Sequence, residues 1–408
     1  MATTRYVIVG GGLAAATAAE HLRERDAGGE IHLFAGEAHN PYLRPPLSKE
    51  LMLGKEGRNS VFVHPGAWYH ERAVTLATGE RVSRIGDHIV TLDGGRTVPF
   101  DRLLLATGAT PRVLDLPASG APGIHTLRTL DESEALKSAL AVGDQRVVVI
   151  GAGWIGLELA AAALSHGNGV TVVAPGKVPL ASALGDELGG MFQELHEDNG
   201  VVFRLGTAVT GFNQQDGRVS AVITGSGELR ADLVIVGIGA VPDVSLALAA
   251  GLDINNGILA DEHLATSAQD VFAAGDVANP FHPVIKQHLR SEHWANAIAG
   301  GKVAAASMAG ATGPDAVLDD IPYFDTDQFD LGMEYSGYAP LAHGAEIVYR
   351  GDRAAREVIA FWINDDRVVA GMNVNVWDVN GDVQKLIREA KPVDRARLAD
   401  PAIPLTEV

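Results

Sequence analysis

Short apolar runs closed by glycine punctuate this chain. Tyr6-Val7-Ile8-Val9 runs into Gly10, Leu103-Leu104-Leu105-Ala106 into Thr107-Gly108, and Val147-Val148-Val149-Ile150 into Gly151. Leu233-Val234-Ile235-Val236 and Val271-Phe272-Ala273-Ala274 end in the same way, at Gly237 and Gly275. Runs this short, without alternation, predict strands buried on both faces of a parallel sheet. Residues 17–25 and 157–166 read as helices, each leading to a further strand, at 30–34 and 170–174. Residues 75–77, 81–85 and 89–92 read as short strands, the last turning through Asp93-Gly94-Gly95. An alanine-rich helix opens at Glu292-His293-Trp294 and continues through Met308. From about Asp319 the texture changes to strands at 331–335, 345–349, 357–363 and 367–372, with a hairpin turn at Asn364-Asp365-Asp366 and a closing helix over 378–390.

Two of the glycine turns carry chemistry. Gly10-Gly11-Gly12-Leu13-Ala14-Ala15 is G-x-G-x-x-A between a strand and a helix. In that context Gly10 permits the tight turn, Gly12 admits a pyrophosphate close to the backbone, and Ala15 lets the helix pack on the strand. The helix N-terminus then faces the anion. Glu37 falls about twenty residues beyond the motif, where an acid accepts a ribose hydroxyl. Gly151-Ala152-Gly153-Trp154-Ile155-Gly156 repeats the pattern as a full G-x-G-x-x-G, and Glu158 is expected in the first turn of the helix that follows. The run ending at Gly239 echoes the one ending at Gly108. Two dinucleotide sites therefore lie on one chain.

The strand ending at Gly275 is followed by Asp276. Ligands of open α/β sheets sit beyond the carboxyl ends of strands, which points Asp276 toward a site. The same residue suits a helix N-cap, and the pattern leaves both roles open. This late strand returns the chain to the first domain. The expected fold is α/β: two Rossmann-like dinucleotide-binding domains, the second inserted in the first, and a C-terminal α+β domain. The boundaries are 1–113 with 244–318, 114–243, and 319–408.

Composition narrows the function. The chain has 408 residues, 47% of them hydrophobic, and a net charge of −19, which argues against nucleic acid as a partner. The first apolar run begins within a few residues of Met1, and no run reaches the ~18 residues of a membrane span. A cytoplasmic protein with no membrane partner is expected. Cysteine is absent from the sequence. That removes disulfides, thiolate nucleophiles and cysteine-ligated clusters, so redox chemistry must reside on bound cofactors and electrons must leave for an external acceptor. Asn40-Pro41-Tyr42-Leu43-Arg44-Pro45-Pro46-Leu47-Ser48-Lys49 is a rigid, non-sheet segment with two cations, a pattern that a solvated proline turn would share.

Several of these stretches resemble the FAD-dependent ferredoxin reductases that serve Rieske oxygenases and bacterial cytochromes P450, in the glutathione-reductase structural class. The resemblance spans essentially the whole chain. It is carried by Arg44-Pro45-Pro46-Leu47-Ser48-Lys49, Ala106-Thr107-Gly108, Gly153-Trp154-Ile155-Gly156-Leu157-Glu158 and Gly275-Asp276. Glu292-His293-Trp294-Ala295-Asn296-Ala297 and Tyr323-Phe324-Asp325-Thr326-Asp327-Gln328 fit as well. It implies FAD at the first site, held by Gly10, Gly12, Ala15, Glu37, Thr107, Gly108, Gly275 and Asp276, with Arg44, Lys49 and Trp294 beside the flavin. It implies NADH, or NADPH, at the second, held by Gly151, Gly153, Ile155, Gly156 and Gly239, with Glu158 near the nicotinamide. Lys49, Glu158 and Trp294 become the candidate catalytic residues, and Lys49–Glu158 a candidate ion pair.

The implied acceptor is a separate iron–sulfur ferredoxin. Because ferredoxins are generally acidic, docking on so acidic a chain requires a local basic patch, and Lys286 with Arg290 is the candidate. A small acceptor (a quinone, ascorbyl radical or oxygen) is the alternative, or an NADH-sensing role resembling apoptosis-inducing factor. A monomer or homodimer is expected, without metal. Two departures stand out. Ala174, with Lys177 nearby, occupies a position where NAD-preferring relatives place glutamate, and Asp325 occupies one that is often aromatic.

Overall fold

The computed structural model describes residues 3–408. The chain forms two compact units. The first comprises the chain up to Leu43, Asn59–Thr110 and Val241–Phe324; the second comprises Arg44–Arg58, Pro111–Ala240 and Asp325–Val408. Residues 44–58, expected in the first domain by sequence order, cluster with the second unit.

The first unit is built on a five-stranded parallel sheet in the order Val271–Ala273, Arg102–Leu105, Arg5–Val9, Glu30–Ala35, Val74–Thr78. Alternate residues of the central strand serve two cores. Tyr6 and Ile8 pack among alanines of the helices Leu13–Arg25 and Trp294–Met308, while Val7 and Val9 pack with Val90, Leu92, Phe100 and Leu246. The two helices approach closely because Gly301 carries no side chain: a Cβ there would lie 2.7 Å from the Ala14 carbonyl oxygen. Arg5–Val9 has its sequence successor on one side and Arg102–Leu105 on the other. The strand order reverses at that point, where such sheets bind ligands.

The second unit repeats the plan. Its parallel sheet runs Val202–Leu205, Gly169–Ala174, Arg146–Ile150, Leu233–Val236, Ile124–His125. Val147 and Val149 pack under the helix Trp154–Ser165, with Met52 and Leu136 in the same core; Val148 and Ile150 pack against Phe212, Val219 and Val222. The last ninety or so residues add a five-stranded sheet in the order Tyr323–Gln328, Leu331–Gly337, Arg367–Val374, Glu357–Asn364, Glu346–Asp352, with antiparallel pairing from Leu331–Gly337 onward. The hairpin turn predicted at Asn364-Asp365-Asp366 is present, and both aspartates take positive φ, 47° and 60°, as a tight turn of that hand needs. The closing helix, Asn380–Glu389, packs on the sheet through Val383.

Candidate functional site

Both fingerprint helices start earlier than the apolar pattern predicts. Gly12 and Gly153 are themselves the N-caps, so Leu13-Ala14-Ala15 and Trp154-Ile155-Gly156 form the first helical turns. Neither cap carries a side-chain hydrogen bond, and neither first turn contains an acid. The leading N–H groups are thereby left for an anion.

Each glycine has its own physical reason. Gly10 has φ +132°, and a Cβ would stand 2.0 Å from the Ala106 carbonyl oxygen. At Gly151 φ is +107°, and a Cβ would stand 2.2 Å from the Gly237 oxygen. Both positions admit only glycine. A Cβ on Gly156 would meet the Gly151 oxygen at 2.3 Å, which explains the third glycine of the second motif. Ala15, its counterpart, is fully buried. The middle glycines differ in kind: a Cβ on Gly12 or Gly153 meets nothing within 4 Å. Open space in front of an uncapped helix start is the cradle a pyrophosphate needs, so the residues present fit FAD at the first turn and a nicotinamide dinucleotide at the second.

The surrounding residues complete each site. Gly275 has φ +75° and lies against Ala14; the 3-10 turn Gly275–Val277 carries Asp276 directly beyond the strand Val271–Ala273. The following helix is capped by His293, through Nδ1, so the N-cap alternative for Asp276 is not taken up. Thr107 donates its hydroxyl to the Asp243 carbonyl at 2.7 Å, beside Gly108 at φ +72°. Glu37 is half-buried and accepts from the Tyr42 hydroxyl. Trp294 is 37% exposed, with Tyr323 edge-on at 6.3 Å. In the second unit, Ile155 is 45% exposed at the helix start, an apolar surface open to a ligand. Gly239, at φ +97°, accepts from the Arg112 N–H. Ala174 is buried at the end of its strand, and Lys177 beyond it is exposed.

The charged centre of the second unit is Glu158, 7% exposed. Its Oε2 accepts from the Ser48 hydroxyl and its Oε1 from the Thr326 hydroxyl, both at 2.6 Å. The Lys49 ammonium lies 4.0 Å from Glu158, so the expected pair is near contact, but Asp325 is closer to Lys49, at 3.0 Å, with Asp327 at 3.9 Å. Burial pushes the Glu158 carboxyl above its ordinary value, against the pull of Lys49 and the two hydroxyls. Burial also opposes the charge on Lys49, yet Glu158, Asp325 and Asp327 outweigh it and hold the ammonium above its ordinary value. Lys49 is therefore a cation at neutral pH, with Asp325 as its nearest counter-ion.

Two of the expected cations have protein partners. Arg44, in the second unit, donates to the Arg128 carbonyl. Arg290 has a side chain only 12% exposed and donates to Glu292 and to the Asp276 carbonyl. These partners take up much of the charge that the docking patch would need from it. Lys286 is exposed.

Comparison with known proteins decides the family. Residues 4–301 match the pyridine nucleotide-disulphide oxidoreductases, and residues 323–408 match the reductase C-terminal domain. This chain belongs to the pyridine nucleotide-disulphide oxidoreductase family. A curated relative, the ferredoxin–NAD(+) reductase component of the anthranilate 1,2-dioxygenase system of Burkholderia cepacia, is 38% identical over 99% of both chains. Putidaredoxin reductase of Pseudomonas putida is 35% identical, over 100% of this chain and 97% of that one. Among solved structures, the covalent putidaredoxin reductase–putidaredoxin complex matches with a TM-score of 0.94 at 34% identity, covering 100% of this chain and 98% of that one.

For a pyridine nucleotide-disulphide oxidoreductase, a chain without cysteine has no disulphide partner of its own. Sequence reasoning missed Ser48 and Thr326 as partners of Glu158. Both stood in the quoted segments, but only tertiary structure brings positions 48, 158 and 326 together. The open space at Gly153 yields a prediction: Gly153→Glu folds and keeps FAD, NADH no longer bleaches the flavin, and dithionite still does. Loss of FAD from this variant would mean that the two sites are exchanged.

Proposed function

We propose that this chain is an FAD-dependent NAD(P)H:ferredoxin oxidoreductase of the cytoplasm, passing electrons to a separate iron–sulfur ferredoxin that feeds an oxygenase or cytochrome P450. The observation that carries the reading is the pairing of two complete dinucleotide cradles with a sequence devoid of cysteine. Bound FAD supplies the passage from two-electron to one-electron chemistry, which no side chain here provides. The protein binds and orients. Gly10, Gly12 and Ala15 hold the FAD pyrophosphate against the first helix start, with Glu37 at its ribose and Asp276, at the same carboxyl end of the sheet, at the ribityl–pyrophosphate portion. Gly151, Gly153, Gly156 and Ile155 do the same for NADH, with Glu158 beside the nicotinamide. Ala174 in place of an acid leaves NADPH admissible. The relatives named as ferredoxin reductases support the choice of acceptor. No helix among the described residues is long and apolar enough to cross a membrane.

Turnover tests this. NADH should bleach the flavin, and a cognate [2Fe–2S] ferredoxin should then be reduced; a flavin that NADH reduces but that passes electrons only to quinone or oxygen would overturn the acceptor. Lys286→Glu should raise KM for ferredoxin severalfold at low salt and leave NADH–ferricyanide activity unchanged. The defect should shrink as salt screens charges beyond a Debye length of ~8 Å. Unchanged ferredoxin kinetics at low ionic strength would place the docking surface elsewhere.

A further inference from the structure

Glu158 is the near end of a buried chain of side chains that its chemistry does not by itself require. Thr326, which donates to Glu158, accepts from Gln328 Nε2 at 3.1 Å, and Gln328 Oε1 lies 2.7 Å from His196 Nε2. Thr326, Gln328 and His196 are each no more than 1% exposed. The far nitrogen, His196 Nδ1, is buried with no hydrogen-bond partner among the described residues. Rings of Phe203 and Phe329 stand edge-on to the imidazole at 6.2 and 5.0 Å.

Every link in this chain has a direction, and the directions are coupled. A hydroxyl has one proton, and a side-chain amide has one donor end and one acceptor end. In one setting His196 Nε2–H donates to Gln328 Oε1, Gln328 Nε2–H donates to Thr326, and the Thr326 hydroxyl has its proton free for Glu158. An ionised carboxylate matches that donor. In the reversed setting the Gln328 amide is turned over, the Thr326 proton points to Gln328, and its lone pair meets Glu158 Oε1 at 2.6 Å. Only a protonated Glu158 matches that. The reversed setting also moves the imidazole proton to Nδ1, where a buried N–H has no acceptor; the first setting leaves only a lone pair there, the less costly of the two to strand. A doubly protonated imidazole meets the same obstacle, and burial already pushes His196 below its ordinary value.

We propose that His196 is a positioning residue that holds Glu158 ionised, acting through Gln328 and Thr326. Its influence opposes the burial that favours a neutral Glu158. The other groups facing Glu158 are Lys49 and Ser48, which also favour the carboxylate, and Asp325, which disfavours it. Asp327 acts at one remove, through Lys49. The consequence for nicotinamide binding rests on the placement of Glu158 proposed above; the protonation of Glu158 does not.

Two measurements on the FAD-loaded protein test the idea. Infrared titration of the Glu158 carboxyl band, assigned by its loss in Glu158→Gln, should show the protonation midpoint of His196→Phe raised by about one pH unit, a tenfold change in proton affinity. Gln328→Met should move the midpoint in the same direction, and the double variant no further. A folded His196→Phe with an unshifted midpoint, or additive shifts in the double variant, would overturn the proposal. The second measurement uses the unmutated protein: nitrogen-15 histidine NMR should find His196 neutral with its proton on Nε2 across the neutral range. An Nδ1–H tautomer or an imidazolium at neutral pH would overturn the proposal without any variant.

Discussion

Gly12→Glu is expected to purify folded and colourless. The Cβ position at Gly12 opens onto empty space, and its φ of −96° is one that any residue adopts, so the substitution asks nothing of the protein itself. What it does is place a carboxylate where the helix start awaits a pyrophosphate, so that like charges meet and the anion site is filled from within. Flavin absorbance per chain should fall from about one equivalent to near zero while the far-ultraviolet circular dichroism stays that of the parent. Gly10→Ala is the contrasting control. Its methyl group would stand 2.0 Å from the Ala106 carbonyl oxygen on a backbone at φ +132°, so this variant should lose the strand–turn–helix itself, and with it solubility and thermal stability. One glycine is required by the ligand and its neighbour by the fold, and the two variants separate those requirements. A folded Gly12→Glu that keeps stoichiometric FAD would remove the first site from the assignment.

How legible these features are in the sequence depends on how local they are. A strand, a glycine turn and a helix start occupy consecutive residues, so both cradles and both central strands can be read directly. Even there, apolar periodicity places the helix starts a few residues late, because the first turns, Leu13-Ala14-Ala15 and Trp154-Ile155-Gly156, have no polar face to set a period. The helix Leu130–Leu140 carries the Thr129-x-x-Glu132 capping box, a local signal that marks its start, and the structure shows both halves of that box. Ala181–Asp198 is hard to see for the opposite reason: Gly185, at φ 81°, breaks the helix, and Gly189 and Gly190 dilute its pattern. The assignment of residues 44–58 to the second unit is not local at all. It rests on burial of Met52 in the core of that unit and on the bond from the Ser133 hydroxyl to the Leu47 carbonyl, neither of which follows from the neighbours of Lys49 in sequence. Arg290 shows the same for charge: its bond to the Asp276 carbonyl, fourteen residues back, does not follow from the residues beside it.

Lys49→Met is expected to destabilise the second unit strongly. The methionine keeps most of the stem's volume, so what is removed is the charge that Asp325, Asp327 and Glu158 surround at 3.0, 3.9 and 4.0 Å. The Lys49 side chain is 11% exposed and that of Glu158 6%. Removing one partner of a buried ion pair commonly costs about 3–5 kcal/mol, because the remaining charge keeps its desolvation penalty and loses its compensation. Asp327, 69% exposed, is stabilised by water and should add little to that loss. The pH dependence fixes the cause. In the parent, Lys49 is held above its ordinary value, so its contribution is complete below the usual lysine range and is lost only as the pH rises through the raised value. In the variant, Glu158 loses its cation while its burial remains, and its carboxyl should move further above the value it has in the unfolded chain. The folded variant then takes up a proton that the unfolded chain does not. Its deficit relative to the parent should be full above the variant's carboxyl value and shrink as the pH falls through that value to the parent's own, smaller elevation. Urea unfolding of both proteins from pH 8 down to pH 5 measures this directly. A deficit that stays constant across that range would mean that Lys49 contributes by packing, and that the three carboxylates manage without it.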